Sequence, residues 1–445
     1  MKKILLVLYI LFISISSYAQ DFGGVHTSNF LPLQNIANDP TGIVRDSTKW
    51  NINVLSGQVL FLNDGQSQET DVFQKLANTG ILSLDKLLGS TSNITVANGK
   101  IIFPSISYKF NHKNAIAVHF DLRGNGVYRA SHESVAKLFK DVESPDGLDD
   151  LQNENLNGIV NTWTEYNVTY SRLLFENDKH EFAGGVTLKY LQGGGAGYFN
   201  MDGIDVSYDK TQINNLDFDL SYAVNETLYE ITEDGKVKFN GDSGLGANIG
   251  FSYIYKDPNQ KDKPYLFKAG LTINDIGSIK HSNNKGNKTY HVSMQDVPYS
   301  RFQGVETLGA LIDTLKNSVD FKEIDGDDYS LSLPTTYAIN ADYCYSKNIY
   351  INASFSYQPS VYGKVIKSFK TKSVTTYLTP RFENKTWGFY LPMRYHNKLG
   401  ANAGFGARWK GFYIGSATVI GNLFKSDSES SQFYFGVNIP IGKTI

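Results

Sequence analysis

The sequence predicts an all-β fold, a single closed antiparallel transmembrane β-barrel of about 14 strands with an N-terminal hatch-like segment and long loops on one side. Three observations predict it. Apolar residues alternate with small or polar residues in segment after segment. The 445 residues include 28 Tyr, 27 Phe and 40 Gly against one Cys and four Met, a composition that favours strands. The chain also begins with an export signal.

Residues 1–19 predict a cleavable signal peptide. Lys2 and Lys3 precede an apolar run from Ile4 to Ile15, and the small residue Ala19 ends the segment. The run is shorter than the ~20 residues that a membrane-spanning helix needs, which disfavours the alternative of an uncleaved anchor. The sequence therefore predicts export, and with a barrel this means the outer membrane of a Gram-negative bacterium.

Residues 20–48 predict a hatch or arm ahead of a barrel formed by residues 49–445. Glycines and prolines make this segment irregular, while its apolar side chains favour burial. A disordered arm is the alternative interpretation. The hatch candidates are Phe22, Phe30, Asn38 and Pro40.

The barrel strands are predicted from alternation. In LGANAGFGARWKGFYIGSATV, at 399–419, Leu399, Phe405 and Trp409 fall on one face, whereas Gly400 and Arg408 fall on the other. The segments of this kind are 49–61, 100–110, 114–128, 162–175, 179–191, 244–256, 264–275, 333–346, 348–358, 372–383, 385–396, 399–410, 411–421 and 431–441. All of them are longer than soluble strands, which usually have about 5 or 6 residues, and all are long enough to cross a bilayer, which takes about 9 to 11 tilted residues.

The connections alternate between tight turns and long excursions, as the two rims of an outer-membrane barrel do. The long excursions are 62–99, 129–161, 192–243 and 276–332. Helix-like spacing occurs at 133–140 and 303–317, and residues 203–222 are expected to form an extra hairpin outside the membrane.

Charged residues share the small, polar face of the strands and oppose the aromatic face. Lipid-facing charge near the midplane costs about 2 to 4 kcal/mol, so a barrel must turn this face inward. Tyr and Trp near strand ends predict aromatic girdles on the outer face. The lumen-facing candidates are Asp121, Arg123, Glu165, Lys189, Lys268, Asp342, Arg381, Arg394 and Arg408.

No motif predicts catalysis, a cofactor or a metal site. The GDSG sequence at 241–244 resembles a protease nucleophile loop, but Ser243 opens a regular strand and no suitable histidine accompanies it. The GGGAG sequence at 193–197 is interpreted as a flexible turn, and the acidic loops 146–150 and 325–328 as solvated charge. Cys344 stands alone as an inert thiol.

Several short motifs resemble a known family. These are IANDPTG at 36–42, KWNIN at 49–53, AGLTINDIG at 269–277 and FYIGS at 412–416. They resemble the uncharacterised outer-membrane β-barrel proteins of Bacteroidota, which are distantly similar to long-chain fatty acid transporter barrels. The resemblance implies a fourteen-strand barrel whose N-terminal segment helps to gate a lateral path for hydrophobic ligands. It identifies no ligand-binding residues.

The leading hypothesis is a non-catalytic outer-membrane barrel that contacts lipid and either passes a small or hydrophobic molecule or has a structural role in the envelope. The alternative is a surface or periplasmic interaction protein that docks an envelope or secretion component through its long loops. An exported soluble β enzyme is a third class. The balance of 42 basic and 44 acidic side chains, a net charge of -2, gives no sign of a nucleic-acid partner.

Overall fold

A computed structural model describes the chain from residue 22 to residue 443 with internal gaps. The described residues are 22–63, 94–132, 135, 150–209, 212–225, 229–231, 237–239, 242–281, 287–302, 313–314, 316, 320–326, 328–359, 372–397, 400–424 and 430–443. The predicted signal peptide lies outside them, as do the acidic loop 146–149, Asp327 and most of both helix-like segments.

The described secondary structure is almost entirely β. The strands of the first half are β1 (Thr48–Asn63), β2 (Ile94–Ile102), β3 (Ser105–Asn111), β4 (Asn114–Ala130), β5 (Leu151–Glu176), β6 (His180–Tyr208), β7 (Gln212–Asn225), β8 (Tyr229–Ile231), β9 (Val237–Phe239), β10 (Ser243–Tyr255) and β11 (Phe267–His281). The remaining strands are β12 (Asn287–Pro298), β13 (Asp320–Gly326), β14 (Tyr329–Ser332), β15 (Thr336–Ser346), β16 (Ile349–Gln358), β17 (Ser373–Glu383), β18 (Trp387–Tyr390), β19 (Met393–His396), β20 (Gly400–Ala403), β21 (Phe405–Trp409), β22 (Phe412–Ser416) and β23 (Ser430–Lys443).

Helical structure among the described residues occurs in short pieces. Within the described ranges, the helices with defined bounds are the 3-10 helices Val25–Thr27, Gly42–Arg45 and Tyr299–Phe302 and the α-helix α1, Val419–Phe424. Residues 135, 313, 314 and 316 are also helical. The predicted strand 411–421 is therefore wrong beyond Ser416, where the chain turns into α1. Among the described residues, no helix is long and apolar enough to cross a bilayer.

The sheet closes on itself as a fourteen-strand antiparallel barrel, which confirms the predicted fold class. The closing contact joins β1 to β23, with Trp50 opposite Ile441 and Leu62 opposite Ser430. Four barrel positions are each shared by two short strands, namely β2 with β3, β14 with β15, β18 with β19, and β20 with β21. In the described strands, closure pairs β1 with β23 and so leaves no free edge between the first and last strands of the barrel.

The aromatic and aliphatic faces of the strands point outward. Along β5, Tyr166, Val168 and Tyr170 are 39%, 47% and 43% exposed, whereas Asn167 and Thr169 between them are 1% and 0% exposed. The same alternation of exposed apolar and buried polar positions runs through the neighbouring strands. This is the pattern of a wall with lipid outside and a packed, polar interior.

One side of the barrel carries a second layer of structure. β5 and β6 continue as a long hairpin beyond the barrel, and the far half of β6 pairs with β7, which pairs with β12 and then β13. The hairpin expected within 203–222 is present as the end of β6 and the start of β7. The turn expected at Gly193–Gly197 is wrong, because these residues lie inside β6 and continue its pairing with β5.

Candidate functional site

Residues 22–47, which we call the inner segment, lie inside the barrel. They contact inward-facing side chains from opposite parts of the wall, including Glu181 of β6, Lys268 of β11, Glu383 of β17 and Tyr434 of β23. The apolar side chains of the segment are almost completely buried: Phe22, Val25, Leu31, Leu33, Ile36, Ile43 and Val44. Glu181 and Glu383 lie beside tight turns, so the parts of the inner segment that contact them lie at the short-turn end of the lumen. His26 contacts Tyr377, which is farther from that end along β17.

The first part of the inner segment is held by the wall strands β17 to β23. The Phe22 ring meets the edges of Tyr413 and Tyr434, with ring centroids 6.2 Å apart in each case. The Ser28 hydroxyl donates to the Glu383 carboxylate. The predicted hatch residue Phe30 lies under the guanidinium of Arg408, at 4.6 Å from the ring centroid.

The second part of the inner segment is held by β6, β10 and β11. Asp39 forms an ion pair with Lys268 at 3.1 Å, and Arg45 forms one with Glu181 at 3.5 Å. Burial raises the pKa of the Asp39 carboxyl, but Lys268 and the Thr41 hydroxyl outweigh it and hold the pKa below its usual range.

The other two hatch candidates have different surroundings. Pro40 lies against the backbone of the wall, where Gly185 of β6 and Gly250 of β10 leave room for it. Asn38 donates its backbone N–H to the Asn35 carbonyl at 2.9 Å and borders a cavity. All four hatch candidates therefore lie within the barrel.

A cluster of four charged side chains lies on the inner face of the barrel wall, with members on β4, β5, β6 and β11. Arg123 donates to Glu165 at 2.7 Å and to both carboxylate oxygens of Asp275 at 2.7 and 2.8 Å. Lys189 lies 3.2 Å from Glu165 and 2.6 Å from Asp275. The indole N–H of Trp163 donates to Glu165 at 2.8 Å. Two cations thus balance two carboxylates, which is how buried charge is tolerated.

A second ion cluster lies on β15, β17 and β21. Arg381 donates to both carboxylate oxygens of Asp342 at 2.6 and 2.7 Å, and its Nε lies 3.3 Å from Glu383. Arg408 lies 3.7 Å from Glu383, which also accepts the Tyr390 hydroxyl at 2.6 Å. Because Ser28 also donates to Glu383, this cluster connects the wall to the inner segment.

The structure buries eight of the nine lumen candidates and leaves Lys268 partly exposed. Asp121 pairs with Lys100 at 3.1 Å. Sequence reasoning missed Asp275, because alternation placed it on the outer face with Leu271 and Ile273. Its φ of 56° and an adjacent irregularity in the β10–β11 pairing turn its side chain inward. An acidic residue at a lipid-facing position was the signal for such a reversal.

A cavity of about 80 Å³ lies between the inner segment and the wall. Its lining includes His26 and Asn38 of the inner segment and the charged residues Lys100, Lys268 and Asp342 of the wall. Much of the rest of the cavity lining consists of hydroxyl and amide side chains from β15 and β16. The cavity is therefore suited to water or a small polar solute more than to an apolar one.

The described residues do not assemble a hydrolytic site at the GDSG sequence. Asp242 is buried and lies 2.8 Å from Nδ1 of His281, but Ser243 belongs to the opposite strand face, which it shares with the exposed Leu245. No group of three or more potential ligands for a metal ion occurs in the described ranges. The Cys344 side chain is buried, with its sulfur 3.1 Å from the Ser346 carbonyl.

Comparison with known proteins gives a family and a set of similar barrels. The sequence model of a protein family, described as a family of unknown function (DUF5723), matches residues 40–417 of this chain. No curated protein gives a significant match. The crystal structure of a Pseudomonas aeruginosa FadL homologue is similar with a TM-score of 0.44 and 8% identity, over 96% of this chain and 99% of that one.

Two further solved structures are similar at the same level. The Pseudomonas putida toluene transporter TodX has a TM-score of 0.43 and 8% identity, over 96% of this chain and 98% of that one. The Ralstonia pickettii toluene transporter TbuX has a TM-score of 0.42 and 9% identity, over 96% of this chain and 94% of that one.

Proposed function

Since the chain belongs to a family of unknown function, DUF5723, we propose a role from its geometry: a non-catalytic outer-membrane barrel that passes small molecules when the inner segment moves. The continuous exposed apolar face of the wall supports a membrane location. The export signal expected at residues 1–19 supports the outer membrane in particular.

The mode of attachment of the inner segment is the observation that carries this proposal. In the described ranges no wall strand pairs with the segment, and its links to the wall at Ser28, Asp39 and Arg45 run through side chains. If the inner segment moved, water could replace these side-chain contacts, and the backbone hydrogen bonds between the barrel strands would stay intact. A segment that was joined to the wall by strand pairing could not move without breaking backbone hydrogen bonds of the barrel.

The polar lining of the cavity supports a small polar solute over the hydrophobic ligand that the sequence resemblance implies. Burying an apolar molecule against Lys100, Lys268 and Asp342 would remove water from these charges without replacing their hydrogen bonds. A polar solute would supply such bonds. We therefore assign the lumen to small hydrophilic solutes.

Solute uptake into liposomes tests the proposal. A variant without residues 22–47 is expected to admit a small sugar much faster than the full-length protein, because the deletion opens the short-turn end of the lumen. Heat-modifiable migration on detergent gels first verifies that the variant still forms a barrel. Uptake by the deletion variant no faster than in protein-free liposomes would overturn the proposal.

The structure beyond the barrel supports a second candidate, docking of an envelope component. The strands β5, β6, β7 and β12 enclose a core of their own, in which Phe199, Phe218 and Tyr290 are at most 2% exposed. A photo-crosslinking residue at the exposed position Asp219 would test this candidate in whole cells. A single discrete adduct supports docking, and the absence of any adduct argues against it.

A further inference from the structure

Arg394 differs from the other inward-facing arginines of the barrel. Arg45, Arg123, Arg381 and Arg408 each have a carboxylate oxygen within 3.7 Å. Arg394 is only 4% exposed, yet among the described residues no carboxylate pairs with it, and its Nε and Nη2 atoms have no hydrogen-bond partner. A buried guanidinium in this state lacks the compensation that buried charge requires.

The surroundings of Arg394 contain further unused polar atoms. Its cross-strand neighbour on β17 is Tyr377, which lines the lumen cavity and meets the His26 ring at 5.6 Å. Two positions further along the same inner face, the buried Thr379 hydroxyl has no hydrogen-bond partner in the part of the chain that the structure describes. The same holds for the side-chain oxygen of Asn352, opposite it on β16. Thr379 is diagonal to Arg394 across β17 and β19, and Asn352 is directly opposite Thr379, so the three polar groups follow one another on one inner face.

Resting on the proposed passage of small solutes, we propose that Arg394 is the anchor of an oxyanion-binding subsite in the lumen. The ligand is a phosphate or carboxylate group, because the planar guanidinium presents paired N–H donors that match such oxygens. The Thr379 hydroxyl supplies a further donor, and the Asn352 oxygen accepts from a protonated or hydroxylated part of the solute.

The position of the subsite is consistent with a solute in transit. Tyr377 precedes Glu383 by six positions along β17, and Glu383 holds the inner segment at the short-turn end. Arg394 therefore lies toward the long-loop end of the lumen, on the route that leads to the inner segment. A solute entering from the long loops would reach the guanidinium at the level where His26 of the inner segment contacts Tyr377.

Binding of inorganic phosphate and of butyrate to the detergent-solubilised protein tests the subsite. Either anion, added at constant ionic strength, is expected to raise the unfolding temperature of the wild type. R394Q should lose this response, with a loss in affinity of about tenfold or more. R394K should bind either anion more weakly than the wild type, since lysine keeps the positive charge but lacks the paired N–H donors of the guanidinium. R172Q removes an exposed arginine and serves as the matched control.

A second readout separates a binding role from a structural one. In buffer without either probe anion, R394Q should unfold at a higher temperature than the wild type, because the substitution removes an unpaired buried charge. A lower unfolding temperature for R394Q, an unchanged anion response in R394Q, or no response of the wild type to either anion overturns the subsite. The measurement requires no transport, so failure of liposome uptake would reject passage and leave the subsite standing.

Discussion

Gly185 of β6 and Gly250 of β10 are directly opposite each other across the two strands, and Pro40 of the inner segment lies over both. A Cβ at Gly185 would lie 2.7 Å from the carbonyl carbon of Pro40, and a Cβ at Gly250 would lie 2.8 Å from its ring carbons. Pro40 can pack against the wall here only because both positions are glycine, since the side chain of any larger residue would occupy the space of the proline. We call this glycine pair the seat of the inner segment.

Substitution of this glycine pair should loosen the inner segment without opening the barrel. G185A and G250A are each expected to weaken the seating of Pro40 by about 1 to 3 kcal/mol, the usual range for overpacking. The measurement is small-sugar uptake in liposomes, which should rise above that of the wild type. In G99A the added methyl meets no atom within 4 Å, so uptake should stay unchanged. Equal uptake by all three variants would contradict the seat.

The ion cluster around Glu165 should be sensitive to loss of a single carboxylate. In the described structure, Arg123 and Lys189 both bond to Glu165 and to Asp275, so E165Q leaves Asp275 as the one carboxylate shared by the two cations. We expect the free energy of unfolding to fall by about 3 to 5 kcal/mol. Guanidinium-induced unfolding in lipid vesicles, followed by tryptophan fluorescence, measures this loss.

A solvent-exposed ion pair provides the control for E165Q. Lys280 and Asp328 lie 2.9 Å apart, with side chains that are 69% and 43% exposed. K280Q should therefore leave the unfolding free energy unchanged, since water screens exposed pairs. A loss in E165Q no larger than that in K280Q would mean that the buried cluster does not stabilise the wall.

The outward face should reject charge at mid-depth. Val186 lies between the exposed residues Phe182 and Tyr190 on the outer face of β6. V186R is expected to cost about 2 to 4 kcal/mol in lipid, as arginine does near the bilayer midplane. V186L keeps the apolar surface and should unfold as the wild type does. If V186R and V186L unfold alike in vesicles, Val186 does not face hydrocarbon.

The barrel was predictable from the sequence wherever a strand has one face on the outside of the barrel and one in the lumen. Along β5, alternation identified residues 162–175, where exposed apolar and buried polar positions alternate. The strand itself begins at Leu151, and in this first part Leu156, Ile159 and Val160 are all at most 5% exposed. With both faces buried in the layer beyond the barrel, the two-residue period disappears.

Irregular points in the wall limited the prediction of the site. The segment 385–396 reads as one strand, yet it divides at Leu391 and Pro392, where proline has no N–H to donate to the ladder. Asp275 was missed because a left-handed φ reverses its side chain. The partners of each buried charge depend on which strands face each other across the lumen, and periodicity carries no such information.

A disulfide between the inner segment and the wall tests whether passage requires movement of the segment. The hydroxyl groups of Thr41 and Ser252 are in hydrogen-bonding contact, so T41C and S252C should form a disulfide in a C344S background. Under oxidising conditions, small-sugar uptake is expected to fall to the level of protein-free liposomes, and reduction should restore it. Each single-cysteine variant, treated in the same way, should show uptake independent of redox state. If the cross-linked protein conducts as well as the reduced form, solutes pass without displacement of the inner segment at Thr41. In that case solutes pass through the barrel along the polar cavity beside a stationary inner segment.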